Sequence, residues 1–223
     1  MSRRIWWALL LALAACATRP PAPPAPNPAP PPPNPTSSIG ALAAAIEEDA
    51  RRSEHEPDAR MRSEFAEQAG RDAQGCLALE PQAVACLYGR AIALGLNARA
   101  HPAHAGELLA AMLESLSRAE SADPGYDEAG PARVRALVLL RAPGWPLGPG
   151  DAEAALAASQ RAVALRPRYP PNLLALAEAL AKTGDAGAAR EAYARARDAA
   201  LALPANNDRA EWLREADQGL QRR

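Results

Sequence analysis

Arg133 is the residue whose type and position best fit binding chemistry. It follows Gly130-Pro131, where a helix can begin but cannot pass, because proline lacks an N–H. A guanidinium beside such a break can bind a carboxylate through two parallel hydrogen bonds. Alternatively, Arg133 pairs with a neighbouring acid, Asp127 or Glu128. The sequence leaves both interpretations open.

Two aromatic residues are candidates to share a site with this arginine. Tyr88, Arg90 and Asn97 lie on one predicted helix, which in a helical array can line the concave face. Trp145 lies in a second proline-rich break, and its alternative role is to fill the gap in an Ala/Leu core. Tyr88, Trp145 and Arg133 would together form an apolar pocket with one polar anchor, as small-ligand sites usually do.

Catalytic chemistry has no comparable pattern. His101 and His104 form a pair in a predicted loop, without an acid or a cysteine at metal-ligand spacing. The sequence contains no glycine-rich phosphate loop, nucleophile elbow or serine-lysine pair. We therefore expect a protein that is not an enzyme and needs no metal or cofactor.

The composition favours closely packed helices. Aromatic residues make up only 4% of the 223 residues, so Ala, Leu and Val must build the core. The formal net charge is −1 and no basic stripe is present, which argues against nucleic acid as a partner.

The N-terminus has the layout of a bacterial export signal. Arg3 and Arg4 precede an apolar run that is too short to span a bilayer, and Leu13-Ala14-Ala15-Cys16 is typical of a lipobox. We expect residues 1–15 to be a lipoprotein signal peptide and Cys16 to be lipidated. The alternative is an ordinary cleaved signal peptide.

Residues 16–37 are predicted to be a tether, because Pro20 to Pro35 is almost entirely Pro, Ala and Asn and favours extended polyproline structure. The protein would then sit on the periplasmic side of a membrane. Ala17 replaces the aspartate associated with inner-membrane retention in enteric bacteria, which favours the outer membrane. Residues 38–223 would form the folded domain.

A spacing repeat indicates that this domain is an array of helix pairs. A small residue is followed five positions later by proline, and the first three prolines are 43 residues apart, which is typical of stacked helical repeats. The four pairs are Cys76 and Pro81, Ala119 and Pro124, Ala162 and Pro167, and Ala199 and Pro204. We expect an all-α fold, a helical-hairpin array similar to tetratricopeptide repeats.

The periodicity predicts nine helices within this array. They cover residues 38–54, 58–79, 82–99, 105–121, 128–140, 151–165, 171–182, 186–202 and 206–221. Cys76 and Cys86 flank the turn at Pro81, so a disulfide between them is plausible in an oxidising compartment, although helical phase can prevent it.

Several motifs in Cys86 to Ala199 resemble the TRAP-transporter T-component family of TatT-like lipoproteins. The matching pieces are A-C-L-Y-G-R-A-I-A-L-G-L from Ala85, D-P-G-Y-D-E-A-G-P-A-R from Asp123, A-P-G-W-P-L-G-P-G-D from Ala142, A-V-A-L-R-P from Ala162 and L-A-L-A-E-A-L from Leu174. Their structural motif residues are Gly130, Pro131, Pro143, Gly144, Pro146, Gly150 and Asp151.

This resemblance implies a membrane-anchored periplasmic lipoprotein that works with a TRAP-type solute-binding protein and binds or relays a small ligand. The alternative is a general scaffold for envelope proteins, with no small ligand. A ligand role predicts a cavity lined by Tyr88, Arg133 and Trp145, whereas a scaffold predicts ordinary packing of these residues and an exposed apolar groove elsewhere. Whether the protein forms a homo-oligomer is left open.

Overall fold

The computed structural model describes residues 39–221, apart from the side chain of Asn207. The predicted signal peptide, the predicted lipidation site Cys16 and the predicted tether lie outside these residues. Between residues 39 and 221 the chain forms nine α-helices, one 3-10 turn and no β-strand. The helices are α1 (Ile39–His55), α2 (Ala59–Leu79), α3 (Val84–Ala100), α4 (Ala105–Ala122), α5 (Tyr126–Arg141), α6 (Ala152–Leu165), α7 (Pro170–Lys182), α8 (Ala186–Leu201) and α9 (Asn207–Gln221).

The all-α prediction is confirmed, and every predicted helix boundary lies within two residues of the observed one. Each helix packs chiefly against its neighbours in the chain, α1 on α2, α3 on α4, α5 on α6 and α7 on α8. The short connections make these pairs helical hairpins. The hairpins follow one another along the domain, and α9 packs against α8 and α7 at its end.

Three junctions between hairpins repeat one hydrogen-bonding pattern. The carbonyl of a buried small residue accepts from the N–H four residues later, at Cys76–Glu80 (3.1 Å), Ala119–Asp123 (2.9 Å) and Ala162–Arg166 (2.9 Å). The donor stands in non-helical backbone because the next residue is proline, which disfavours helix in the residue before it. The small-residue and proline spacing therefore does mark these helix ends. At the end of α8 the acceptor is instead the exposed Asp198, whose carbonyl accepts from Ala202, and Pro204 does not directly follow the donor.

The stacking is interrupted between α3 and α5. The backbones of the other odd-numbered helices approach closely, α1 to α3, α5 to α7 and α7 to α9, whereas α3 and α5 meet mainly through side chains such as Tyr88 and Val134. This is where α5 begins with irregular backbone. The close backbone approach of odd-numbered helices is thus interrupted at this one point.

Alanine fills much of the interior, as the composition predicts. In one cluster Ile46 of α1 packs against Ala69, Ala73 and Ala93 of the next two helices, where small side chains allow close approach. The described residues belong to one compact unit, within the range Pro32–Arg223, which contains all of these clusters. With a core of its own, this unit is suited to study as an independent domain. Within the described residues, no helix has the length and hydropathy of a membrane span.

Candidate functional site

Helix α5 begins with a left-handed turn. Asp127, Glu128 and Ala129 have φ angles of 46°, 53° and 66°, and none of them is glycine. An L-residue in this region costs roughly 1–2 kcal/mol, and runs of such residues are rare. The right-handed helix follows from Gly130 to Arg141, so the predicted break is real but starts three residues earlier. Strain of this size persists only where surrounding contacts hold it in place.

Arg133 supplies most of those contacts. Its Nη1 donates to the backbone carbonyls of Asp127 (3.1 Å) and Glu128 (3.2 Å), and its Nη2 donates to the Asp127 carboxylate (2.8 Å). The guanidinium also lies 5.1 Å from the ring centre of Tyr169, a cation–π contact. Arg133 is only 8% exposed, so its hydrogen-bonding capacity is used inside the fold.

Asn172, at the start of α7, joins the left-handed turn to the end of α6. Its Oδ1 accepts from Arg133 (3.2 Å), while its Nδ2 donates to the carbonyls of Glu128 (2.9 Å) and Ala162 (3.2 Å). The side chain is fully buried. Sequence reasoning missed this residue. The available signal was a lone amide ahead of the apolar run of α7, because a buried amide needs partners.

Tyr88 of α3 completes the same cluster. Its hydroxyl donates to Oδ2 of Asp127 (2.8 Å), the oxygen that also accepts from Arg133. Burial, and then the Asp127 carboxylate, raise the pKa of the Tyr88 phenol well above its ordinary value. The phenol therefore stays neutral at physiological pH and acts as a hydrogen-bond donor. We call Tyr88, Asp127, Arg133 and Asn172 the Asp127 cluster.

Gly130 is required by this cluster for steric reasons. A β-carbon at this position would lie 2.6 Å from Oδ2 of Asp127 and 2.7 Å from the hydroxyl oxygen of Tyr88. Both distances are far below van der Waals contact. The glycine of the Gly130-Pro131 pair thus leaves room for the Tyr88–Asp127 hydrogen bond.

These contacts correct the predicted pocket. Tyr88 and Arg133 do come together, but they meet on Asp127, one of the two acids proposed as the structural alternative. Trp145 does not join them, since its side chain is 91% exposed. Neither interpretation of Trp145, as a residue that lines a pocket or as one that fills a gap in the core, agrees with this exposure.

The loop that carries Trp145 is closed by its own backbone. The N–H of Gly150 donates to the carbonyl of Pro143 (2.9 Å), and a bridge joins Gly144 to Gly150. A β-carbon at Gly150 would lie 2.2 Å from the carbonyl oxygen of Ala142, so only glycine fits. Asp151 then caps α6 by accepting from the N–H of Ala154 (3.0 Å). Pro146 follows Trp145 through a cis peptide bond.

A second place of interest is an open groove of about 630 Å³ between α2, α3 and the start of α4, here called the Arg90 groove. Two of the predicted residues, Arg90 and Asn97, line it. The other lining residues are Glu67, Gly70, Arg71, Ala73, Gln74, Ala93, Leu94, His101, His104, Glu107 and Leu108. The groove therefore combines apolar side chains with several groups that can form ion pairs or hydrogen bonds.

Arg90 and Asn97 differ in how far the fold uses them. Nδ2 of Asn97 donates to the carbonyls of Ala66 and Ala93, both at 2.8 Å, and so ties α3 to α2. Arg90 is half-buried, and within residues 39–221 its guanidinium has no hydrogen-bond or ion-pair partner. An intermediate exposure with unused donors leaves Arg90 able to bind an external acceptor.

The two cysteines of the repeat domain are bonded. Sγ of Cys76 is joined to Sγ of Cys86, with the Cα atoms 5.3 Å apart, so the bond links α2 to α3 across the first repeated junction. Both residues are fully buried. No group of three or more His, Cys, Asp or Glu residues in the described part of the chain is arranged to hold a metal ion.

Comparison with known proteins supports the fold. No protein-family model and no curated protein sequence matches the chain. The structure is similar to the crystal structure of a thermophilic tetratricopeptide-repeat protein from Thermus thermophilus, with a TM-score of 0.52 and 22% sequence identity. The match covers 81% of this chain and 92% of the other. The chain therefore has a tetratricopeptide-like helical-repeat fold, as predicted.

Proposed function

We propose that this protein is a non-catalytic scaffold of the bacterial envelope that binds a partner protein in the Arg90 groove. The observation that carries the proposal is the open groove of about 630 Å³ in which the half-buried Arg90 has no partner among the described residues. A guanidinium there can bind a carboxylate of the partner in bidentate fashion. Ala93, Leu94 and Leu108 offer apolar contacts beside it.

The same groove favours a protein segment over a small ligand. Its lining spans three successive helices and is open on one side, as an extended or helical segment requires. The residues expected to anchor a small ligand are used elsewhere, since Tyr88 and Arg133 are both committed to Asp127. An acidic side chain or a C-terminal carboxylate next to apolar residues is the motif that this surface fits.

For the partner itself we propose a TRAP-type solute-binding protein. The support is the resemblance of Cys86 to Ala199 to T-component lipoproteins, above all the A-P-G-W-P motif from Ala142 and the G-P-x-R motif from Gly130. The lipobox at Cys16 supports a lipid-anchored location on the periplasmic side of a membrane, with the outer membrane favoured. The repeat domain would hold the solute-binding protein near its transporter.

A second candidate is a general scaffold for envelope proteins. It is favoured by the burial of Tyr88 and Arg133. Because Arg133 is paired with Asp127, the predicted pocket has no free group to bind the carboxylate of a relayed ligand. Both candidates use the Arg90 groove, so they differ in the identity of the partner and not in the surface.

The test is capture of partners by immobilised Pro32–Arg223 from periplasmic extract, with identification by mass spectrometry. Arg90→Ala is compared with the matched control Arg195→Ala, which removes an exposed arginine of α8 outside the groove. Recovery of a TRAP-type solute-binding protein that is lost only with Arg90→Ala supports the transport proposal. Recovery of other envelope proteins, also lost only with Arg90→Ala, supports the general scaffold. Equal recovery by both variants contradicts the groove as the binding surface.

A further inference from the structure

The loop between α5 and α6 carries the most exposed large apolar side chains of the described residues. Trp145 is 91% exposed and Leu147 is 78% exposed. The nine residues 142–150 contain no charged side chain. The backbone closure at Pro143 and Gly150, together with the hydrogen bond from Gly148 N–H to the carbonyl of Gly144 (3.2 Å), holds the loop in shape. We call Trp145 and Leu147 the apolar knob.

An apolar groove of about 600 Å³ lies directly beside this knob, between α3, α4 and α5. It is lined by residues of all three helices and by the first two residues of the loop. Its lining is almost entirely apolar and includes Ala98, Leu109, Met112, Val134, Leu137 and Val138. Its volume lies within the range of about 300–1,000 Å³ that is typical of sites enclosing a bound group.

The knob and the apolar groove form one continuous surface. Ala142 and Pro143, the first residues of the loop, line one end of the groove. Farther along, the carbonyl of Leu147 lies over the start of α4, where a β-carbon on Gly106 would be 3.6 Å from it. A projecting apolar group and a recess of matching chemistry are therefore neighbours on the same face.

We propose that two copies of this chain associate through this face, with the knob of each copy in the apolar groove of the other. A two-fold interface uses the same patch on both copies, so that patch must be complementary to itself. A patch that carries the knob beside the apolar groove meets this requirement, because a two-fold axis places the knob of each copy opposite the groove of the other. Each buried tryptophan removes roughly 150–250 Å² from water. The two tryptophans thus supply roughly 300–500 Å², to which the two leucines and the groove walls add. Because the total does not exceed the lower limit of about 1,000 Å² for a specific interface, we expect a weak dimer that depends on concentration.

The rim of the apolar groove is compatible with this contact. Arg141 is paired with Glu178 (2.8 Å), and Arg99 donates to the carbonyl and the hydroxyl of Ser53 (2.8 and 2.6 Å). The interface thus buries no guanidinium without a partner, and both groups can lie against the incoming indole ring. A membrane surface would also accept Trp145, but it would leave the adjacent recess uncovered, so the second copy is the better occupant.

The experiment is sedimentation equilibrium of Pro32–Arg223 over about 1–200 μM, a range suited to weak interfaces. We expect a monomer–dimer equilibrium, and a rise in the dissociation constant of at least about tenfold for Trp145→Ala, since tryptophan is a typical hot-spot residue. Leu201→Ala, which truncates another exposed leucine far along the chain on α8, leaves the equilibrium unchanged. Trp145→Ala removes an exposed side chain and is expected to fold normally.

A mixing experiment tests the exchanged geometry. Leu137→Glu places a charge in the apolar groove at a half-buried position, while the knob stays intact. Mixed with Trp145→Ala, it can form one intact knob-in-groove contact, so the mixture contains more dimer than either variant alone. A mixture with no more dimer than either variant alone contradicts the insertion of each knob into the groove of the other copy.

Other outcomes overturn the proposal directly. One is a monomer at every concentration, and another is an equal dimer fraction for wild type and Trp145→Ala. A third is a monomer that floats with phosphatidylethanolamine/phosphatidylglycerol vesicles through Trp145, which would assign the knob to a membrane. Arg90→Ala is expected to leave dimerisation unchanged, so the result is independent of the function proposed above.

Discussion

Arg133 and Arg90 are both partly or fully removed from solvent, but their guanidinium groups have opposite surroundings. Arg133 makes hydrogen bonds to Asp127, Glu128 and Asn172 and lies against the ring of Tyr169. Arg90 has no such partner within residues 39–221. One arginine stabilises a strained turn of its own chain, while the other lies in an open groove on a regular helix.

The difference shows why an unusual sequence context is a poor guide to a binding residue in this protein. Gly130-Pro131 marks a strained backbone, and the strain requires internal hydrogen bonds that use the nearest arginine. A regular helix such as α3 satisfies its own backbone, so an arginine on it remains available. The comparison predicts that Arg133 is needed for stability and Arg90 for binding.

The largest expected effect is the loss of stability in Arg133→Ala. Arg133 is buried but the Asp127 side chain is 43% exposed, so the main cost is that the carbonyls of Asp127 and Glu128 lose their donor. We expect a loss of about 2–4 kcal/mol in the free energy of unfolding. Arg90→Ala is expected to change the same quantity by less than about 0.5 kcal/mol. Urea unfolding of Pro32–Arg223 measures both. A similar loss of stability in both variants would contradict the different roles assigned to Arg133 and Arg90.

A second effect comes from the space around Gly130. Gly130→Ala forces a methyl group against Asp127 and Tyr88, and we expect a loss of about 1–3 kcal/mol, as for other overpacked sites. The matched control is Gly187→Ala in α8, where a β-carbon has only ordinary contacts. There alanine raises stability by about 0.5–1 kcal/mol because it favours the helix. Thermal unfolding of the pair tests the prediction, which fails if both substitutions stabilise the protein.

Tyr88→Phe is expected to cost about 1–1.5 kcal/mol at neutral pH, because Asp127 loses one hydrogen bond. The same tyrosine makes stability sensitive to alkali. Burial and Asp127 raise the pKa of Tyr88 in the folded state above its unfolded value of about 10. The contribution of Tyr88 to stability is therefore complete below a pH of about 10 and is lost as the pH rises from there towards the folded-state pKa. The loss reaches about 1.4 kcal/mol per pH unit for one group.

Urea unfolding between pH 9 and pH 11 checks this dependence. Burial also raises the pKa of Tyr126 and of Tyr169, so Tyr88→Phe reduces the slope without removing it. The chain contains a single lysine, Lys182, which limits other titrations in this range. An unchanged slope in Tyr88→Phe would contradict the assignment of a neutral, hydrogen-bonded phenol.

The smallest effect concerns the left-handed turn itself. Glu128 is exposed, and its ion pair with Arg166 (3.2 Å) is a surface contact of little energy. Glu128→Gly removes the cost of a positive φ and is expected to leave stability unchanged or raise it by up to about 1 kcal/mol. Glu191→Gly, at an exposed position inside α8, lowers stability by about 1 kcal/mol. An equal loss of stability at the two positions would contradict a positive φ at Glu128.

Periodicity and proline positions predicted the helices well, because helix boundaries depend on local signals such as the extended residue before Pro81, Pro124 and Pro167. The left-handed turn could not be predicted in the same way. Asp127 to Ala129 contain no glycine, and their conformation depends on Arg133 and on Asn172, which is 44 residues away from Glu128.

The positions of the candidate site residues also divide into those that local spacing predicts and those that depend on contacts distant in sequence. Arg90 and Asn97 were placed on the lining helix because their helical positions follow from local spacing. The exposure of Trp145 depends on how the loop closes through Pro143 and Gly150, and the use of Tyr88 depends on the path of α5. Such tertiary outcomes cannot be read from residue spacing alone.

The central claim is that Arg90 binds the partner protein. Titration calorimetry of Pro32–Arg223 with the purified TRAP-type solute-binding protein tests it most directly. We predict that Arg90→Ala weakens binding about 30-fold or more, since loss of a charge-assisted contact at an interface costs about 2 kcal/mol or more. Arg195→Ala should bind as the wild type does, and both variants should unfold at the same urea concentration. Undiminished binding by Arg90→Ala would contradict the division of roles between Arg90 and Arg133.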